Sequence, residues 1–253
     1  MPCGMAEEEA HDGGRLQQVR EEVHRESSNT DSSQSPDRQQ PTQPQRSPVH
    51  ENMEFFAAVI SAIDAFHTAS YPYADGKGWQ RSRAGNDMPD SPWAVRGRIE
   101  YGHIDSDLWR IGAGVALTAG AYEIRWDWNE YHERHAGGSD NLLISSFDFM
   151  AAFPLIDEQL RGGFGAGMTW LDYPGSGSDF GVQVSGIVQW FPQHPWVVES
   201  YGAWGSIGDA RHWRVHSHLG VQVWRCTLSA GYDLRQVGSV DLSGPTLSVS
   251  LWF

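Results

Sequence analysis

Apolar and polar residues alternate with a period of two from Trp93 to the end of the chain. In residues 122–130, Tyr122, Ile124 and Trp126 alternate with Glu, Arg and Asp. Successive side chains of a β-strand point to opposite faces of the sheet, so each such segment predicts a strand with one apolar and one polar face. Ten segments follow this pattern, separated by turns or polar loops.

The lengths of these segments favour a particular kind of sheet. They have about 8 to 13 residues each, whereas strands of soluble proteins have a mode near ~5–6 residues and a strand that crosses a membrane needs ~9–11. A sheet can cross a bilayer only if it closes, because hydrocarbon offers no partner for an open edge. We therefore predict an all-β protein in which residues 93–253 form an antiparallel, up-and-down transmembrane β-barrel of about ten strands, with eight or twelve as alternatives.

The residues before the barrel divide into three parts. Residues 1–50 contain almost no aromatic or β-branched residues, and we predict a disordered tail there. Residues 51–68 place apolar residues at spacings of four, four and three, which predicts a short N-terminal amphipathic helix. Residues 69–92 are rich in Gly, Pro, Asp and Asn, which is typical of a loop.

The last predicted strand carries a recognisable pattern. Its apolar positions are Leu247, Val249, Leu251 and Phe253, and serine separates the first three of them. This pattern resembles the terminal strand of bacterial outer-membrane β-barrels, in which a final Phe and alternating apolar residues form the signal read by the barrel-assembly machinery. The resemblance implies an outer-membrane location, with the lipid bilayer and that machinery as partners. We expect a monomer, and the resemblance names no activity.

Closure of such a barrel in a membrane directs the apolar faces of its strands toward lipid and the polar faces toward the lumen. Charged residues on neighbouring strands are then able to pair across the lumen, which is how buried charges are tolerated. The lumen-lining candidates are Arg96, Arg98, Glu100, Glu123, Arg125, Asp127, Asp148, Arg214, His216 and His218.

Histidines recur on one predicted strand, where His212, His216 and His218 share a face with Arg214. Neutral imidazole is a common metal ligand. However, alternate residues of a strand lie about 6.6 Å apart, so coordination by two of them needs further ligands and a special geometry. We predict a polar lumen lining without a metal or cofactor, and we interpret residues 131–135 as part of a solvated loop.

Composition excludes some classes of function. The net charge is -14 and Lys77 is the only lysine, so the chain lacks the basic stripe of an electrostatic nucleic-acid binder. Cys3 and Cys226 are too few for a disulfide framework, and we expect two unpaired thiols. The chain has no apolar run approaching the ~20 residues of a membrane helix, and no basic segment followed by an apolar run, so no secretory signal is visible.

The leading functional hypothesis is an outer-membrane barrel with a narrow lumen filled by side chains, acting as a structural or small-molecule-interacting protein. One alternative is a membrane-embedded hydrolase that acts on lipid, for which the sequence assigns no catalytic residue. The other is a soluble, lipocalin-like barrel, whose apolar stripes would face inward around an apolar ligand. The sequence leaves the ligand, the role of the lumenal charges and enzymatic activity open.

Overall fold

The fold is described from a computed structural model, which covers residues 14–24, 66–74, 76, 78–82, 93–135, 138–156, 158–173 and 177–253. Within these residues it contains one helix, α1 (Arg15–His24), and thirteen strands. The strands are β1 (Phe66–Thr68), β2 (Gln80–Ser82), β3 (Trp93–His103), β4 (Leu108–Ala119), β5 (Tyr122–His135), β6 (Gly138–Ile156), β7 (Leu160–Tyr173), β8 (Gly177–Trp190), β9 (Trp196–Ile207), β10 (Ala210–Val223), β11 (Cys226–Val237), β12 (Val240–Asp241) and β13 (Gly244–Trp252).

Ten of these strands close into one antiparallel barrel. From β3 to β11, each strand of the ring pairs with the one before it in the chain. The ring then continues from β11 to β13 and closes where β13 pairs with β3. The two-residue strand β12 is outside this ring and pairs with β11, while β1 and β2 form a separate small sheet. The prediction of a ten-stranded, antiparallel, up-and-down barrel is confirmed.

The registers of the strand pairs define the shape of the barrel. The stagger of the barrel is the shift along β3 that results from stepping from each residue to its paired residue once around the ring. This shift is about twelve residues. A stagger of this size in a ten-stranded barrel corresponds to a strand tilt of about 40°, within the usual range. The interior is therefore narrow, and side chains from opposite walls are able to meet.

The two faces of the wall differ sharply in polarity. Along β4, buried and more exposed positions alternate from one end to the other. On the outer face, Ile99 is 68% exposed and Val182 is 69% exposed, whereas the inward-facing Glu100 is 3% exposed and Asp148 fully buried. The apolar side chains thus point outward and the charged side chains inward, which is the reverse of a soluble barrel with an apolar core.

Helix α1 covers one end of the barrel. Leu16, Val19 and Val23 are buried in an apolar cluster with residues at the ends of several barrel strands. The carboxylate of Glu133 accepts hydrogen bonds from the backbone N–H groups of Arg15 (2.8 Å) and Leu16 (2.9 Å), and so satisfies donors that a helix N-terminus leaves unpaired.

Two sequence predictions are corrected at this end. Residues 15–24 are helical, although they belong to the segment 1–50 that was predicted to be disordered; most of that segment is outside the described residues. Residues 131–135, predicted as loop, continue β5, and Tyr131 and Leu142 are fully buried beneath α1. These strand extensions are stable because the helix supplies apolar side chains for them to pack against.

Residues 66–82 cover the opposite end. Trp79 is 1% exposed and packs edge-on against Phe191 and Trp252. The Tyr73 hydroxyl donates to the backbone carbonyl of Trp196 at 2.6 Å, and burial raises the pKa of Tyr73 to about 12, so this donor keeps its proton at neutral pH. Most of the predicted helix 51–68 lies outside the described residues, and its last three residues form β1.

Candidate functional site in the barrel lumen

One group of ion pairs joins strands that are far apart in the ring. Glu199, on β9, is paired with Arg96 of β3 and lies 3.3 Å from Nη2 of Arg125 on β5. Arg161, on β7, donates to Glu123 at 2.7 Å. The contacts of Glu199 cross the lumen and brace distant walls of the barrel against each other, whereas Arg161 and Glu123 join strands that are separated only by β6.

A second group centres on Arg110, which is 2% exposed. Its guanidinium is paired with both Glu100 and Asp233, and it donates to Oδ1 of Asn129 at 2.7 Å. Arg214 donates from Nε to the other oxygen of Asp233 at 2.9 Å. Asp233 is thus shared by two buried arginines, and its negative charge compensates both of them.

The lumen has little free volume. Beside the ion pairs, Asp148 accepts hydrogen bonds from Gln183 (2.8 Å) and Tyr201 (2.9 Å). The cavities found between inward-facing side chains have volumes of about 30 and 10 Å³, which is room for about one water molecule in the larger one. The described side chains therefore occupy most of the lumen.

Two histidines and one carboxylate converge at mid-height in the lumen. His216 and His218 point inward from β10, and their rings cross at 77° with centroids 3.8 Å apart. Oε2 of Glu100, which reaches across from β3, lies 3.0 Å from Nε2 of His216 and 3.4 Å from Nε2 of His218. Among the described residues, this is the set of His, Cys, Asp and Glu side chains placed to hold a metal ion.

The ten sequence-predicted lumen residues all belong to barrel strands, and nine of them are buried; the side chain of Arg98 is 10% exposed and pairs with Asp127. Four lumenal residues on which the ion pairs depend were not predicted from the sequence, namely Arg110, Arg161, Glu199 and Asp233. The signal was present for Arg110 and Asp233, which occupy the polar positions of alternating segments.

The residues of the predicted assembly signal lie on the outer wall. Leu247, Val249, Leu251 and Phe253 are between 44% and 60% exposed along β13 and its end. Their exposure is compatible with recognition from outside the barrel, and their role in assembly stays a prediction. His132, which was interpreted as a solvated loop residue, stacks on Trp109 at a centroid distance of 4.1 Å and bonds to Asn141 at 2.9 Å.

A scan against protein-family models found no match for this chain, and a search of curated proteins found no relative. Within the described residues, no helix is long and apolar enough to cross a membrane. The fold and the site define a class: a closed, ten-stranded antiparallel barrel with an apolar exterior and a charged, side-chain-filled lumen.

Proposed function

We propose that this barrel spans the bacterial outer membrane as a structural or small-molecule-interacting protein with a closed lumen. The observation that carries the proposal is the polarity of the wall. Thirty-three large apolar side chains are each more than a third exposed, while the buried charged residues all face inward. Soluble monomers rarely expose contiguous apolar patches larger than a few hundred Å², so a wall of this kind favours a hydrocarbon environment.

The height of the apolar wall supports the same proposal. On β8, Phe180 and Trp190 are 65% and 46% exposed and stand near opposite ends of the strand. Their ten-residue separation corresponds to about 33 Å along a strand, or about 25 Å along the barrel axis at a tilt of about 40°. The apolar band of outer-membrane barrels is about 25 Å tall and is bordered by aromatic residues.

Aromatic residues stand near both ends of the outer wall. Trp93, Trp190, Trp196, Trp224 and Phe253 are exposed at the end that Trp79 covers, and Tyr101 and Phe180 are exposed toward the end that α1 covers. Amphipathic rings of this kind are enriched where a membrane meets water. The two groups therefore support a membrane-spanning orientation with the barrel axis along the bilayer normal.

The filled lumen narrows the range of functions. Cavities of about 30 and 10 Å³ between the described side chains argue against a wide diffusion pore. The soluble, lipocalin-like alternative requires an apolar interior, whereas the observed interior is rich in buried arginines, carboxylates and histidines. No feature of the described residues specifically favours the alternative of a lipid hydrolase.

The proposal is tested with the full chain, expressed in a bacterium with an outer membrane or refolded into phospholipid vesicles. We expect outer-membrane fractionation, a heat-modifiable band on cold SDS gels, and loss of folded protein when detergent is removed. Vesicles that contain the barrel should retain a small entrapped dye, because the lumen is closed. Recovery of a folded monomer in detergent-free buffer would contradict membrane insertion, and rapid dye release would contradict the closed lumen.

A further inference from the structure

Glu100, His216 and His218 bring three ligand atoms to one point in the lumen. Oε2 of the carboxylate and one ring nitrogen from each histidine lie within 4.8 Å of one another. All three residues are buried, with exposed fractions of 3%, 2% and 8%. The spacing of the histidines along β10 does not supply a third ligand, but closure of the barrel brings one from β3, which is separated from β10 by β11 and β13.

The geometry differs from an ordinary ion pair between histidine and glutamate. His216 Nε2 is 3.0 Å from Glu100 Oε2, and no donor in the described residues meets hydrogen-bond geometry at this buried oxygen. The Nε2 atoms of the two histidines also face each other in direct contact. The three ligand atoms therefore lie close enough together to share one metal ion, and Thr246 Oγ1 lies 3.4 Å from Nε2 of His218 beside them.

Neighbouring side chains fix the orientation of these donors. Nδ1 of His218 lies 3.2 Å from Oγ of Ser248 and 3.3 Å from Oγ of Ser229. A proton on Nδ1 that is donated to a serine leaves the lone pair of Nε2 free. Arg110 holds the second oxygen of Glu100. Outer-shell partners of this kind orient metal-binding histidines and carboxylates and fix the histidine tautomer.

We propose that Glu100 Oε2, His216 Nε2 and His218 Nε2 bind one divalent transition-metal ion, with Zn²⁺ as the best match. Two imidazoles and one carboxylate are a common ligand set for Zn²⁺, which leaves a fourth position for water, whereas Mg²⁺ and Ca²⁺ take oxygen ligands. A cavity of about 30 Å³, lined by His218, Ser229 and Ser248 among others, lies next to the Nδ1 side of His218. The proposal does not depend on whether the barrel spans a membrane.

The test compares two histidines of the same strand. The full chain is refolded in detergent with Zn²⁺, cleared of free metal, and analysed for bound zinc and for affinity by competition with a chelating dye. We expect one tightly bound Zn²⁺ per folded barrel. The variants His216→Ala and His218→Ala should weaken binding on the order of 100-fold or more, since loss of an outer-shell partner alone costs about 10–100-fold.

The matched control is His212→Ala. His212 is 3% exposed and points into the same lumen from the same strand, but it is outside the converging set. This variant should bind Zn²⁺ as the unchanged protein does. Equal losses in the His212 and His216 variants, or bound zinc that is unaffected by His216→Ala, would overturn the proposal, because zinc would then be held elsewhere on the chain.

Two further measurements keep the test informative if an alanine variant does not fold. Ser248→Ala leaves all three ligands in place and should weaken zinc binding about 10-fold, while the heat-modifiable gel band reports that the barrel is intact. Co²⁺ bound in place of Zn²⁺ should give the intense visible absorption of a four-coordinate site, and Glu100→Gln should reduce it. A folded Ser248→Ala variant with unchanged affinity, together with the weak absorption of octahedral Co²⁺, would overturn the proposed geometry.

Discussion

Replacement of Val184 by arginine measures whether the outer wall faces hydrocarbon. Val184 is at the middle of β8, is 57% exposed, and pairs with Ala166 and Trp204 on the neighbouring strands. In a barrel that spans a bilayer, an arginine at mid-height on the lipid face costs about 2–4 kcal/mol of folding free energy. On a wall that faces water, an exposed substitution changes stability by only about 0.5 kcal/mol or less.

Val223→Arg is the matched control. Val223 is also an outward-facing valine, 67% exposed, but it is the last residue of β10 and precedes the exposed Trp224. At this depth the cost of arginine falls to about 0–1 kcal/mol. Both variants are unfolded reversibly with guanidinium in phospholipid vesicles, with tryptophan fluorescence as the readout. Equal free energies of unfolding for the two variants would refute the membrane orientation.

Three other substitutions test the lumen and the two ends. Asp233→Asn removes the carboxylate shared by Arg110 and Arg214. We expect the free energy of unfolding in guanidinium to fall by about 3–5 kcal/mol. An unchanged midpoint would show that this pairing contributes little to stability. Trp79→Ala empties the enclosed position beside Phe191 and Trp252 and should cost about 3–5 kcal/mol of unfolding free energy in the same assay. An unchanged free energy would mean that Trp79 does not cover that end of the barrel. In detergent, where no bilayer displaces α1, Val19→Asp should release the helix, because Val19 is buried against the barrel. Trypsin cleavage in α1 would report the release, while the heat-modifiable band of the barrel persists.

The barrel itself was predictable because its wall follows a strict rule. In segments such as β4 and β10, every second side chain must face the lumen, so the alternation of residue types identified the strand and its inward face. Strand β9 was less clear because glycines and small residues interrupt its alternation. Its partners on β8 and β10 settle its register, and that information is not local to the segment.

The lumenal contacts were less predictable than the strands that carry them. Glu199 and Arg96 meet although their strands are not neighbours, and the meeting depends on the radius and stagger of the closed ring. The convergence of Glu100 with His216 has the same origin. The helix was missed for another reason: Leu16, Val19 and Val23 have helical spacing, but so short a helix is stabilised by tertiary packing rather than by its own sequence.

The position of α1 provides an independent test of the membrane proposal. It covers the end opposite to the one at which the chain enters β3, and residues 25–65 connect the two ends. If lipid surrounds the barrel, the polar residues 25–50 and the carboxylates of Glu51, Glu54 and Asp64 have no path along the outer wall, and the described lumenal side chains leave only small cavities. We therefore expect that a barrel inserted into a bilayer does not hold α1 in this position.

A crosslink between α1 and the barrel tests this expectation. Glu22 accepts a hydrogen bond from Ser239 at 2.7 Å, so cysteines at these two positions, in a chain whose own cysteines are replaced by serine, should react with a short bismaleimide. The crosslinked chain should fail to insert into preformed vesicles, whereas the same chain without the reagent, and the single variant Glu22→Cys with the reagent, should insert. Efficient insertion of the crosslinked chain would mean that the connecting segment passes around the barrel without crossing lipid, and such a barrel does not span the bilayer.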